Sequence, residues 1–270
     1  MDALASFTPD DLRRLRTESF LREVELHAEI GSTNDRALAL CGETNLPVPY
    51  LILTEQQTAG RGRGANRWWS SDGALLFSVI IDANDYALPE SRWPQISLTV
   101  GATVCEVLDA LATTNKSRSH SVGLKWPNDV WLNNRKACGI LVEVPPSRCG
   151  RLVIGVGLNV NNSFESAPAE LQLIATSLSD ETGSALDRTA VLAALLQQLD
   201  QDLKRLAEAD RSLVECWQSR CVLRDHVVSL DAGQRVVTGL CLGIANDGAL
   251  RLRLPAGEQR FYGGVIRRIE

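Results

Sequence analysis

Residues 50–81 read YLILTEQQTAGRGRGANRWWSSDGALLFSVII, and the contrast inside this stretch decides the architecture. Tyr50 to Thr54 and Ala74 to Ile81 are short apolar runs with the length of buried strands. The segment between them, rich in glycine and arginine, has neither helical nor strand periodicity and reads as a long loop. Loops of that length inside a compact domain are usually functional or mobile.

Upstream, Thr8-Pro9-Asp10-Asp11 starts a helix: a capping hydroxyl, proline in the first turn, and acids at the positive dipole end. That helix is predicted to run to about Leu21, with a strand near Val24 to Ile30. Ser32 or Thr33 caps a second helix through Leu40, stopped by Gly42. Downstream, the apolar spacing from Pro94 to about Thr113 is helical. Strand-like runs follow at Val122 to Trp126, Lys136 to Val144 and Arg151 to Val160. Asp187 caps an amphipathic helix to about Ala209, and a shorter helix lies around Val214 to Arg220. After Cys221 the texture changes to short runs punctuated by turns such as Asn246-Asp247-Gly248, a hairpin signal. Strands so closely spaced predict a small all-β barrel.

The net charge of −5 argues against a chain dominated by nucleic-acid binding. No apolar run reaches the roughly 18 residues of a membrane helix, and the first twenty residues lack the apolar stretch of a secretory signal. A cytoplasmic protein is expected. The seven cysteines are scattered and never in a CxxC arrangement, so neither a disulfide framework nor a metal site is expected. Cys105 and Cys138 sit in apolar settings where a thiol behaves as a small hydrophobe.

Four motifs carry chemistry. Gly60-Arg61-Gly62-Arg63-Gly64 combines close backbone approach with planar donor forks suited to phosphate or carboxylate; a solvated basic loop or an RNA contact explains it equally. It lacks the GxxxxGK[ST] pattern of a P-loop. Lys125-Trp126-Pro127-Asn128-Asp129 ends a strand with an ammonium that can face a pocket, or is a surface lysine before a routine turn. Gly31-Ser32-Thr33-Asn34 opens a helix whose free N–H groups suit a polar ligand head, or is a plain cap. Arg135 to Glu143 (RKACGILVE) and Gly155 to Asn161 (GVGLNVN) place glycines inside apolar strands, either for a ligand or for close packing.

In order and spacing, GSTN, QQTAGRGRG with Trp68, KWPNDVWL, RKACGILVE and GVGLNVN together resemble the biotin–protein ligases over about Ile30 to Asn162. The C-terminal barrel fits the SH3-like module of that family. The resemblance implies an α+β fold: a class II synthetase-like catalytic domain, with a mixed sheet flanked by helices, and a small barrel. The expected boundaries are a helical extension over 1–22, a biotin/ATP-binding domain over 23–221 and the barrel over 222–270. It implies an ATP-dependent ligase that makes biotinyl-5′-AMP, releases pyrophosphate, and passes biotin to a lysine of a biotin carboxyl carrier protein. ATP, Mg²⁺ and biotin are the expected small molecules, with no permanently bound cofactor and no metal site of the protein's own.

By the same resemblance, Ser32, Thr33, Asn34 and Gln57 bind the ureido head of biotin, and Gly60 and Gly139 lend backbone groups. Arg61 and Arg63 contact the biotin carboxylate and phosphates, and Lys125 bridges carboxylate and α-phosphate; Lys125 and Arg63 are the expected catalytic pair. Trp68, Trp126, Asn128 and Asn159 join Arg61, Arg63 and Lys125 around the nucleotide. Where the family often carries further basic residues after GRGR, this chain continues Gly64-Ala65-Asn66-Arg67, a less basic loop. About thirty residues precede GSTN, too few for a winged helix-turn-helix, so no DNA binding is expected. A homodimer through the sheet edge is left open. A lipoate–protein ligase, a non-catalytic biotin-binding regulator and an RNA-binding protein are the rival readings.

Overall fold

The structure is a computed structural model that describes residues 6–114, 120–146 and 150–270. Residues 1–5 of the expected N-terminal extension, and Cys149, lie outside the described residues.

The elements form where their local chemistry dictates. Helix α1 (Pro9–Glu18) starts at a capping box, Thr8 accepting from the Asp11 amide and Asp11 from the Thr8 amide, which satisfies two end groups reciprocally. Strand β1 (Glu23–Ile30) leads to α2 (Thr33–Leu40), capped by Ser32. Strands β2 (Tyr50–Gln57) and β3 (Leu75–Asp82) flank the glycine-arginine loop. Helix α3 (Ile96–Thr114) precedes β4 (Val122–Lys125), β5 (Asp129–Leu132), β6 (Arg135–Glu143) and β7 (Arg151–Leu158). Two short helices, α4 (Ala169–Ile174) and α5 (Leu178–Thr182), lead to α6 (Arg188–Ala207) and α7 (Arg211–Ser219). Strand β5 is absent from the sequence expectation: four residues directly after a Pro-Asn turn carry too little alternation to register.

These strands form one sheet in the order β1-β2-β3-β7-β6-β5-β4, parallel at β1–β2 and antiparallel elsewhere. Its two faces have different fates. Leu51, Leu53, Phe77, Val79, Ile154 and Val156 point into the large core beneath α1, α3, α6 and α7. Ile52, Ile80 and Val153, one residue out of phase, meet α2 on the other face. Beyond α2 that second face carries Gly139, Gly155 and Gly157 in place of bulky side chains, so the sheet is left bare there.

Glu25 of β1 joins α2 to the sheet edge. Its carboxylate accepts from Arg36 at 2.7 and 3.1 Å and from Tyr50 at 3.0 Å, with His27 also in contact. The Arg36 guanidinium is the main cause that holds its pKa down at about 2, with His27 and Tyr50 adding to it against burial. A depressed carboxylate stabilises the fold above its unfolded value and loses that contribution as it protonates in the native state. Glu25→Gln is therefore expected to lower stability at neutral pH. The gap from the parent should shrink between about pH 4.5 and pH 2, as followed by denaturant midpoints.

Residues after α7 build a second sheet from β8 (Val227–Asp231), β9 (Val236–Ile244), β10 (Leu250–Leu254), β11 (Gly257–Phe261) and β12 (Val265–Ile269). Its order is β11-β10-β9-β8-β12, all antiparallel, around buried Val228, Leu230, Cys241 and Leu252. This is the expected SH3-like barrel, and the Asn246-Asp247-Gly248 turn closes the β9–β10 hairpin with Gly248 at φ +86°. The barrel joins the seven-stranded sheet where Val222 donates to the Leu124 carbonyl and Trp126 donates to the Gly248 carbonyl.

No helix among the described residues is long and apolar enough to cross a membrane. Cys105 and Cys138 are fully buried, and burial pushes both thiols up, as suits small core hydrophobes.

Candidate active site

The bare half of the sheet is the floor of a cavity of about 470 Å³, within the range of small-molecule sites. Its ends differ chemically. At one end the N-terminus of α2 presents Ser32, Thr33 and Asn34, each only 4% exposed. Gln57 accepts from the Thr33 amide at 2.8 Å, and Ser78 donates to Asn34 Oδ1 at 2.6 Å. Asn34 in turn donates to the Leu141 carbonyl and to Glu143 at 3.2 and 2.8 Å. It rests on Gly155, where a Cβ would stand 2.0 Å from Asn34 Oδ1. These are polar groups held at fixed angles, suited to a compact hydrogen-bonding ligand head.

The other end is cationic. Arg63, Lys125 and Lys136 gather there with Asn128 and Asp129, while Arg61, also on the lining, is paired with Glu143 and with Asp35 of α2. Lys125 ends β4 with its ammonium 4.7 Å from the Trp131 ring centroid. Burial depresses its pKa, Asp129 partly offsets this, and Lys136 adds to the depression. Lys136 pairs with Asp129 at 2.7 Å and lies 5.4 Å from the Trp68 ring centroid. Arg63 is held by neutral acceptors only: the Gly264 carbonyl at 3.3 Å and Asn128 Oδ1 at 3.5 Å, the outer limit of hydrogen bonding. Burial lowers its pKa too. Lys125 and Arg63, partly desolvated and without an ion pair among the described residues, favour an anionic ligand.

The glycine-arginine loop roofs the cavity as a small hairpin. Arg61 and Arg67 are bridged, Gly62 donates to the Asn66 carbonyl at 2.8 Å, and Gly64 turns the chain at φ +62°. Trp68 packs its ring on the floor at Gly139 and Gly157, where a Cβ would come within 2.7 and 2.5 Å of it. Its indole N–H is buried without a partner. On the rim, α4 offers Leu171, Leu173 and Ile174, the last two 80% and 57% exposed.

Most of the residues singled out from sequence meet at this cavity: Ser32, Thr33, Asn34, Gln57, Arg61, Arg63, Trp68, Lys125, Trp126, Asn128 and Gly139. Two do not line it. Asn159 is buried behind the floor, its amide spent on the Thr176 carbonyl at 3.1 Å and the Lys136 carbonyl at 3.5 Å, so it braces the strand that carries Lys136. Gly60 lies under Trp68, whose amide donates to its carbonyl at 2.9 Å. Trp126 borders the cavity but is 2% exposed and hydrogen-bonded to the barrel.

The structure adds residues that sequence reading passed over. Ser78 and Glu143 support Asn34, and Asp129 and Trp131 arrive with the unexpected strand β5. Lys136 was hidden by register. Strict alternation puts it with Cys138 on the core-facing side, opposite Gly139. Across β5 and β6, Trp131 pairs Lys136 while Val130 pairs Cys138, so Ala137 has no partner. That bulge turns Lys136 to the Gly139 side. Among the described residues no group of three or more His, Cys, Asp or Glu could hold a metal ion.

Comparison with known proteins agrees with this geometry. Residues 27–159 match the biotin/lipoate A/B protein ligase family, and 226–267 match the biotin protein ligase C terminal domain. The chain is 34% identical to the biotin–[acetyl-CoA-carboxylase] ligase of Mycobacterium tuberculosis over 252 residues, covering 90% of each chain. It is 29% identical to the bifunctional ligase/repressor BirA of Bacillus subtilis, over 93% of this chain and 76% of that one. Among solved structures, a biotin protein ligase from Aquifex aeolicus in complex with biotin and ATP superposes with a TM-score of 0.77 and 27% identity, over 92% of this chain and all of that one. Motifs, cavity, barrel and relatives converge: the chain belongs to the biotin protein ligase family.

Proposed function

We propose that the protein is an ATP-dependent biotin–protein ligase that forms biotinyl-5′-AMP and transfers biotin to a lysine of a biotin carboxyl carrier protein. The observation that carries this reading is the two-ended cavity: fixed hydrogen-bonding groups at α2, a bare glycine floor, and at the far end Lys125 and Arg63 without an ion pair among the described residues, beside the Lys136–Asp129 pair.

The ureido head of biotin sits at Ser32, Thr33 and Gln57, with Asn34 fixing the helix end. Its thioether ring and valerate chain run along the glycine floor beneath Trp68. The carboxylate then lies among Lys125, Lys136 and Arg63, where the α-phosphate of MgATP meets it, and the nucleoside extends toward Asn128 and the apolar rim of α4. A carboxylate oxygen attacks the α-phosphorus, forming the mixed anhydride and breaking the bond to pyrophosphate, which leaves with the magnesium that the nucleotide brought. Attack of one anion on another is opposed by repulsion. Preset cations in a site that excludes water offset it where charge accumulates. In the second step the acceptor lysine amine attacks the anhydride carbonyl, the amide forms, and AMP leaves with the bonding pair. No protein nucleophile takes part.

The repressor function in the name of the Bacillus subtilis relative is left out of this proposal, because a net charge of −5 sets the chain as a whole against polyanions. Retardation of operator DNA in a gel shift would correct that. The activity itself is tested by ATP–pyrophosphate exchange with biotin and, separately, lipoate, followed by mass analysis of a biotin-acceptor domain. Exchange with biotin and one added biotinyl group are expected. Exchange with lipoate alone would move the protein to the lipoate ligases.

A further inference from the structure

Both lysines that line the cavity rest on indole rings, but they differ in counter-charge. Lys136 pairs with Asp129 at 2.7 Å and lies 5.4 Å from the Trp68 ring centroid. Lys125 stands directly across the β4–β5 ladder from the same Asp129, a position where opposite charges commonly pair. The bulge at Ala137 gives that carboxylate to Lys136 instead. Lys125 turns to Trp131, two residues along β5 and so on the same face as Asp129. Such diagonal neighbours are within reach of long and aromatic side chains, and the ammonium lies 4.7 Å from the ring centroid.

Trp131 lines the cavity, and what it offers there is the face of its ring. Its indole N–H is buried without a hydrogen-bond partner among the described residues. A ring quadrupole attracts a cation without cancelling its charge, most strongly in tryptophan and where water is excluded. A carboxylate in the same place would hold the ammonium as firmly, but it would neutralise it and repel an incoming anion.

We infer that Trp131 is a positioning residue that seats the Lys125 ammonium in the cavity while leaving its charge to the reacting anions. The seat stands on the contacts; its consequence for the rate rests on the ligase reading above. The other charged groups that face Lys125 are Asp129 of β5, which favours its protonated form, and Lys136 of β6, which opposes it. Arg63 of the glycine-arginine loop lines the same end.

The test compares Trp131→Leu, Trp131→Phe and Trp131→Glu by two readouts. The first is NMR of the lysine ε-carbons in ligand-free protein, a simple spectrum because the chain has only four lysines. The Lys125 signal is identified by its loss in Lys125→Ala, and in the parent the ring current should displace it upfield. Trp131→Leu should abolish the displacement and lower the titration midpoint by about one pH unit, the worth of a desolvated cation–π contact. Trp131→Phe should fall in between, and Trp131→Glu should raise the midpoint. The second readout is biotin-dependent pyrophosphate release. Trp131→Leu should slow it about tenfold with a smaller change in the KM for biotin, and the alkaline limb should move down with the midpoint. Phenylalanine should recover part of the rate. Trp131→Glu should be at least as slow as the leucine variant although its midpoint moves the opposite way, a split that a merely structural role would not produce. A Lys125 signal left in place by Trp131→Leu, or a Trp131→Glu enzyme as fast as the parent, would overturn the inference. Should leucine unfold the sheet, the phenylalanine variant carries the same comparison. If the parent releases no pyrophosphate with biotin, the ligase reading fails, while the spectra still decide whether Trp131 holds Lys125.

Discussion

Lys125→Ala is expected to slow biotin-dependent pyrophosphate release by about two to three orders of magnitude, the usual cost of removing one preset stabilising group. The ammonium forms no ion pair with a described residue and leans on the Trp131 ring, so its charge is free for the reacting anions. Its loss should leave folding intact: burial already disfavours the charge, and removing it relieves that cost. Thermal unfolding should be unchanged or slightly later, while the rate collapses with a smaller change in the KM for biotin. The depressed pKa of Lys125 adds a pH signature. The protonated form is the useful one, so the rate should fall on the alkaline side with an inflection below the ordinary lysine value of 10.5. Lys136→Ala removes a second ammonium and unmasks Asp129 toward the phosphates, so its loss should be at least as large. A Lys125→Ala enzyme within about threefold of the parent rate, against the orders of magnitude expected, would pass the role to Lys136.

Gly155→Val should damage the opposite end of the cavity. Even the first added carbon would stand 2.0 Å from Asn34 Oδ1 and 2.7 Å from its Cγ, and Asn34 cannot step back. Ser78, Leu141 and Glu143 hold it from three directions, and Gly155 is fixed between Ser78 and Leu141 in the sheet. Overpacking of this kind costs about 1–3 kcal/mol of stability. Misplacing a positioning group by about 1 Å costs roughly a hundredfold. The KM for biotin is expected to rise by that order, with ATP binding less affected. Gly42→Ala, where a Cβ would meet nothing within 4 Å, serves as the control and should leave both constants unchanged. Equal behaviour of the two variants would remove Asn34 from the account of the ligand head.

Sequence reading went furthest where local chemistry acts alone. The caps at Thr8, Ser32 and Asp187, the buried strand runs and the loop with its two arginines each follow from neighbouring residues. It fell short where the partner is distant in the chain. Nothing near Glu143 announces that Asn34, more than a hundred residues earlier, will donate to it. Gly155 and Gly157 read as glycines in strands; only the fold shows that one makes room for Asn34 and the other for Trp68. Asn159 sits in a ligand-like motif, yet the fold spends its amide on two carbonyls of the chain.

The unpaired residue at Ala137 reaches beyond its own strand. Which way the neighbouring ammonium faces is governed by a count of residues, not by their kind: one fewer here would swing that charge from the cavity side of the sheet into oil. Protein engineers can thus swap side chains around Lys136 with some freedom, whereas the spacing between it and Cys138 leaves no latitude at all.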